Sequence, residues 1–120
     1  MKLEGWEKSL NDTIVSYYGR EFSWADSSCV HFAADCVLAM TGVDYIKDFR
    51  GEWSDEQGAV NFIANNGGTL RAFMDGWEMV DRTRAQRGDV AIMIKDKKEF
   101  MGIVGMDPRF VLVRSEKGMG

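Results

Sequence analysis

The chain contains few histidines, cysteines and prolines. Its 120 residues include one histidine, two cysteines and one proline. One histidine and two cysteines without a recognisable ligand spacing do not indicate a zinc site, so we assign no metal and no cofactor. Because there is no tract typical of a linker, we expect a single domain over residues 1–120, a usual length for one hydrophobic core.

Long apolar runs and an excess of positive charge are also missing. No stretch approaches the roughly 18 apolar residues of a membrane-spanning helix, and the N-terminus lacks a signal-peptide pattern, so we expect synthesis in a cytoplasm. The net charge is −4 and the isoelectric point is about 5.0. This balance argues against nucleic acid binding through phosphate neutralisation. The one basic cluster, at residues 95–98, is interpreted as a solvated hairpin tip.

The segment over residues 29–41 is apolar almost all the way round, which predicts a buried central helix. Residues 26–28 offer N-caps before it, and Gly42 ends it. Cys29 and Cys36 are seven residues apart, so on one helix their Cα atoms are separated by about 10 Å, beyond the reach of a disulfide. We therefore predict two free thiols.

Other apolar patterns with a period near 3.6 residues predict helices on either side of this segment. An amphipathic helix precedes Gly19, and a third helix starts at a capping-box pattern formed by Ser54 and Gln57. A short fourth helix is predicted to contain Leu70, Phe73 and Met74.

The C-terminal part of the chain has the pattern of strands. Runs over residues 90–94, 100–106 and 110–113 are separated by turn-rich pieces and predict an antiparallel sheet. Gly102 and Gly105 within the second run indicate a bulge or a close approach of two backbones. Helices followed by strands predict an α+β fold, with the sheet packed on the central helix.

Cys29 is the candidate nucleophile. A cysteine in the first turn of a helix lies near unpaired backbone N–H groups and the positive end of the helix dipole, which favour the reactive thiolate. Free cysteines are also among the most buried residue types, so the position alone is more typical of core packing than of catalysis.

Short motifs surround Cys29 and continue along most of the chain: Phe22–Trp24, Phe32–Asp35, Thr41–Asp44, Arg50–Gly51 and Arg87–Val90. Together they resemble the NlpC-type papain-like cysteine peptidases carried by tailed phages, in which Trp-Gly-x-x-Asp-Cys precedes Phe-Ala-Ala-Asp and Gly-Asp-Val opens the first strand. The resemblance implies a papain-like (NlpC-type) α+β fold and a gene in a phage tail cluster. It also implies a virion protein of the tail tip or baseplate, made in the host cytoplasm, with other tail proteins as partners.

The sequence departs from the catalytic pattern of that family. In active members the second strand carries Gly-His-x-Gly-Ile, and the residue that aligns with the histidine here is Phe100, which cannot carry a proton. Residues 110–113, where an orienting polar residue is expected, are all apolar. Ala25 and Ser28 also replace the glycine and aspartate that flank the nucleophile. The resemblance therefore implies a degraded catalytic site.

His31, the only histidine, does not replace the missing base. Residues two apart on a helix are separated by about 200° and face away from each other, so His31 points away from Cys29. We predict that it pairs with Asp35, four residues on. Asp89 and Glu99 are expected near the end of the sheet, where a carboxylate would raise the pKa of the Cys29 thiol.

Three functions remain open from the sequence. The preferred one is a structural or assembly component of a phage tail tip or baseplate, without catalysis. The alternative is an active cysteine hydrolase that cleaves peptidoglycan peptide cross-bridges during phage entry, with Cys29 as nucleophile and an unidentified base. The third is a host-encoded regulatory or inhibitor module of the same fold. An exposed apolar surface would favour the first function, and a reactive thiol the second.

Overall fold

The computed structural model describes residues 2–65, 67–68, 70, 84–95, 98–106, 111–115 and 118–119. The helices are α1 (Trp6–Tyr18), α2 (Cys29–Thr41) and α3 (Glu56–Asn65). The strands are β1 (Val90–Lys95), β2 (Lys98–Val104), β3 (Val111–Ser115) and the two-residue β4 (Gly118–Met119).

Helix α2 is the centre of the core, as predicted. Ser28 is its N-cap, and Gly42 follows its last residue in a left-handed conformation (φ 79°), with its N–H bonded to the Leu38 carbonyl at 2.8 Å. A left-handed residue at this position is most easily supplied by glycine. Eight residues of α2 are buried: Val30, His31, Phe32, Ala33, Ala34, Cys36, Val37 and Met40.

Helix α1 packs against α2 through one face, on which Leu10 and Tyr17 are buried. It ends at Gly19, as predicted. Leu3, which fits the apolar pattern of this helix, lies before its first residue and is 51% exposed. Its backbone N–H bonds to the Met40 carbonyl, so this part of the chain contacts the end of α2.

Helix α3 exists, but the prediction of its cap was wrong. The carboxylate of Asp55, and not Ser54, accepts a bond from the Gly58 N–H at 2.7 Å. An aspartate directly before the helix satisfies a free N–H of the first turn and suits the positive end of the helix dipole. Of the residues predicted to form a fourth helix, Leu70 is described and is buried, and Phe73 and Met74 lie outside the described residues.

The strands form an antiparallel sheet in the order β1-β2-β3-β4. Val90 pairs with Ile103 and Gly102 with Val113, which sets the register. The predicted close approach occurs at Gly102, where a Cβ atom would lie 2.6 Å from the Leu112 carbonyl oxygen. The second strand ends at Val104 and not at residue 106, so Gly105 lies beyond it.

The architecture is a compact α+β domain in which α2 contacts α1 on one side and β2 and β3 on another. The buried Met101 and Ile103 of β2 belong to the same core as the apolar side chains of α2. Both cysteines are free, as predicted. Within the part of the chain that the structure describes, no helix is long and apolar enough to cross a membrane.

Candidate functional site at the start of the central helix

Cys29 is the first residue of α2, and its side chain is partly buried. Burial raises the pKa of its thiol, because a low-polarity environment disfavours the thiolate. Backbone N–H groups of Met101 on β2, of Val30 and of Cys29 itself favour the thiolate but are outweighed by burial. The activating effect expected from the helix start is therefore present but does not dominate.

The polar side chain beside Cys29 is a phenol and not a base. Tyr45 donates its hydroxyl to the Met101 sulfur at 3.0 Å, next to the backbone group that faces Cys29. Burial and then the proximity of Cys29 and Cys36 hold the pKa of Tyr45 above its usual range, so it stays protonated. Among the described residues, no side chain forms a hydrogen bond or an ion pair with the Cys29 sulfur.

Phe100, which aligns with the missing histidine, lies one residue before Met101 on β2 and pairs with Met93 of β1. The structure therefore brings Cys29 next to the strand residue that follows Phe100. The two carboxylates expected near the end of the sheet have backbone partners. Asp89 accepts from the Gln86 N–H at 2.8 Å and Glu99 from the Leu70 N–H at 3.2 Å.

His31 pairs with Ser28, and the predicted pair with Asp35 was wrong. The His31 Nδ1 accepts the Ser28 backbone N–H at 3.3 Å and lies 2.7 Å from the Ser28 hydroxyl oxygen, so the two residues form a capping box. The ring is 1% exposed and lies 5.5 Å from the Trp53 ring. Burial, and then the charge of Arg50, lowers the pKa of His31, so it is neutral at pH 7.

Asp35 instead belongs to a second polar group on α2, which we call the Asp35 cluster: Tyr17, Arg20, Asp35, Asp44 and Arg50. Arg50 donates from Nη2 to Asp35 Oδ1 and from Nε to Asp44 Oδ2, both at 2.7 Å. The Tyr17 hydroxyl donates to Asp35 Oδ2, and Arg20 lies 3.8 Å from the same oxygen. Arg50 thus joins two carboxylates from separate sequence motifs.

Arg114 holds the segment before Cys29 in place, a role that the sequence did not indicate. Its guanidinium is 2% exposed and donates to the carbonyls of Tyr17 at 3.0 Å, of Ser27 at 3.4 Å and of Arg20. It therefore ties β3 to the segment that joins α1 to α2 and leads into Cys29. The available signal was a single charged residue directly after the apolar run over residues 110–113.

The described surroundings of Cys29 can be compared with the parts that nucleophilic catalysis requires. A cysteine hydrolase needs a base within hydrogen-bond reach of the thiol and a polar group that orients the base. In the described part of the chain, Cys29 has neither, and there is no cluster of three or more metal-ligating side chains.

A comparison with family models shows which family the chain matches. The model described as a domain of unknown function (DUF6950) covers residues 1–120. No curated protein and no solved structure gives a significant match.

Proposed function

The chain belongs to the DUF6950 family, and we propose that it is a structural component of a phage tail tip or baseplate with an NlpC-type peptidase-like fold and no hydrolytic activity. In this proposal its partners are other tail proteins and its location is the virion. The observation that carries the proposal is the environment of Cys29, in which no base among the described residues contacts the thiol.

The arrangement of the motif residues supports the family resemblance. The helix that begins at Cys29 packs on β2, and the Cys29 thiol lies beside the strand residue that follows Phe100. Asp35, Asp44 and Arg50, which carry three of the matching motifs, meet in one ion-pair cluster. Residues that are distant in sequence thus meet in space, as expected if these motifs maintain one fold.

The electrostatics of Cys29 support the loss of chemistry. A thiol attacks a carbonyl carbon as its thiolate, so activated cysteines have a pKa below the ordinary value of about 8.5. Here burial shifts the pKa upward. His31, the one imidazole of the chain, is already occupied by Ser28.

Apolar side chains on the outside of α1 suit contacts with another protein. Val15 and Tyr18 are three residues apart, so they are neighbours on one helix face, and both are well exposed. Such a pair gives another protein a small apolar contact, of a size that is also common on free protein surface. A tail component would cover this surface on assembly.

The proposal is tested with the phage whose genome carries the gene. We expect the chain to be present in purified virions by mass spectrometry, and we expect Cys29→Ser particles to assemble and infect as the parent does. An Arg114→Met variant serves as the control for a protein lost through misfolding. Absence of the chain from virions would overturn the structural role.

A second assay distinguishes the proposal from the hydrolase alternative. The purified chain is incubated with peptidoglycan, and newly released amino groups are counted. We expect no release above the Cys29→Ser blank. Release by the parent that is lost in Cys29→Ser would identify an active cysteine hydrolase with a base supplied from elsewhere.

A further inference from the structure

The bonds between Ser28 and His31 depend on the protonation state of one buried ring. His31 Nδ1 is an acceptor for the Ser28 N–H at 3.3 Å and is 2.7 Å from the Ser28 hydroxyl oxygen. An imidazolium carries protons on both nitrogens and accepts no hydrogen bond. Protonation of His31 therefore removes the bond from the Ser28 N–H and leaves that donor without its partner.

The Ser28 hydroxyl oxygen can accept from a protonated Nδ1, but it does not replace the acceptor that the Ser28 N–H loses. His31 is 1% exposed and faces the Trp53 ring. The charged groups that act on it are Arg50, which opposes protonation, and Asp35, Asp26 and Asp44, which favour it. Arg50 is already bonded to Asp35 and Asp44, which partly neutralises both carboxylates. Burial together with Arg50 outweighs the three acids.

We propose that the Ser28–His31 capping box is a proton-operated latch, whose opening in mild acid frays the first turn of α2 and exposes Cys29. The N-terminal turn is the part affected, because Ser28 supplies the cap and Cys29 is the residue next to it. The rest of α2 is held by independent contacts, including the bonds of Asp35 to Tyr17 and Arg50. This inference does not depend on the phage role proposed above.

The difference in the pKa of His31 between the closed and open first turn determines how the open population changes with pH. The pKa of His31 is lowered in the latched state and returns to about 6.5 when the ring meets water. The open population then grows as pH falls below about 6.5, and at pH 5.5 it is up to about tenfold larger than at pH 7.5.

The experiment measures the rate at which 4,4′-dithiodipyridine modifies Cys29 in the intact chain between pH 7.5 and 5.5. Each rate is divided by that of a cysteine in an unstructured peptide at the same pH. We expect the ratio to rise in the parent, by at most about tenfold. His31→Gln, which keeps an acceptor at the same capping position but does not titrate, is expected to show a flat ratio.

Cys36 is the internal control for local opening. It lies two turns further along α2 and is fully buried, so a frayed first turn leaves it unreactive. A flat ratio in the parent, an equal rise in His31→Gln, or equal modification of Cys36 and Cys29 would each overturn the latch. The single histidine also gives one imidazole signal by NMR, and a pKa at or above 6.5 would overturn it independently of any variant.

Discussion

Helix α2 carries two polar sites that differ in almost every physical respect. At its start, Ser28, Cys29 and His31 are neutral, and burial shifts both titrating groups towards the neutral form. One turn further on, the Asp35 cluster is charged, and its acids and bases bond to each other. In the described part of the chain, the charged groups of α2 therefore bond to side chains of other segments, whereas the groups at its start are buried and neutral.

The two sites also differ in how far apart their contacting residues lie in the sequence. Ser28 and His31 are three residues apart and satisfy each other within one helix turn. The Asp35 cluster collects side chains from α1, from α2 and from the segment before α3. We therefore expect substitutions in the Asp35 cluster, and of Arg114, to lower the free energy of unfolding more than substitutions at the start of α2.

Arg114→Met should produce the largest loss of stability. The change removes a buried guanidinium that donates to three carbonyls, in the last turn of α1 and in the segment that joins α1 to α2. Because hydrogen bonds from a buried charged group are strong, we expect a loss of about 3 kcal/mol or more in the free energy of unfolding by urea. A loss of less than about 1 kcal/mol would contradict the role given to this residue.

Arg50→Met should have a smaller effect, about 2 kcal/mol, because the Asp35 cluster remains partly open to solvent. The matched control is Lys8→Met, which removes an equally short ion pair, to Asp12, on an exposed helix face. We expect no measurable change for the control. Equal effects of the two substitutions would show that the Asp35 cluster is no more than a surface ion pair.

His31, in the neutral site at the start of α2, should make the free energy of unfolding depend on pH. Because the pKa of His31 is lowered on folding, the unfolded chain binds the proton more readily. Stability is therefore present above the unfolded pKa of about 6.5 and decreases as pH falls below it, by at most about 1.4 kcal/mol per pH unit. His31→Gln should lack this component.

Urea unfolding of the parent and of His31→Gln at pH 7.5, 6.5 and 5.5 measures the component directly. The stability difference between the two proteins should change with pH in favour of the variant under acid conditions. Parallel curves over the whole range would mean that His31 does not titrate differently in the folded and unfolded chains.

Local sequence patterns predicted where the helices begin and end. They predicted the polar contacts between the helices less well. Helix α2 is bounded by Ser28 and Gly42, whose preference for these positions comes from their own backbone chemistry. The cap of α3 was misplaced by one residue, since Ser54 and Asp55 are both good N-caps and only the final geometry selects Asp55.

The predicted pair of His31 with Asp35 shows why the site itself was harder. A spacing of four residues places two side chains on the same face of a helix, but it does not exclude stronger partners from elsewhere. Arg50 and Tyr17 bind Asp35 across the fold, and Ser28 binds His31 locally. Arg114 could not be assigned at all, because its three acceptors are far away in the sequence.

The claim that Cys29 is not an activated nucleophile is tested most directly by the pKa of its thiol. The pH dependence of alkylation is measured in a Cys36→Ala background, with Cys29→Ser as the blank. We predict an apparent pKa above the ordinary value of about 8.5, since burial outweighs the backbone N–H groups. A value clearly below 8.5 would show an activated thiolate and would contradict the structural role proposed for this protein.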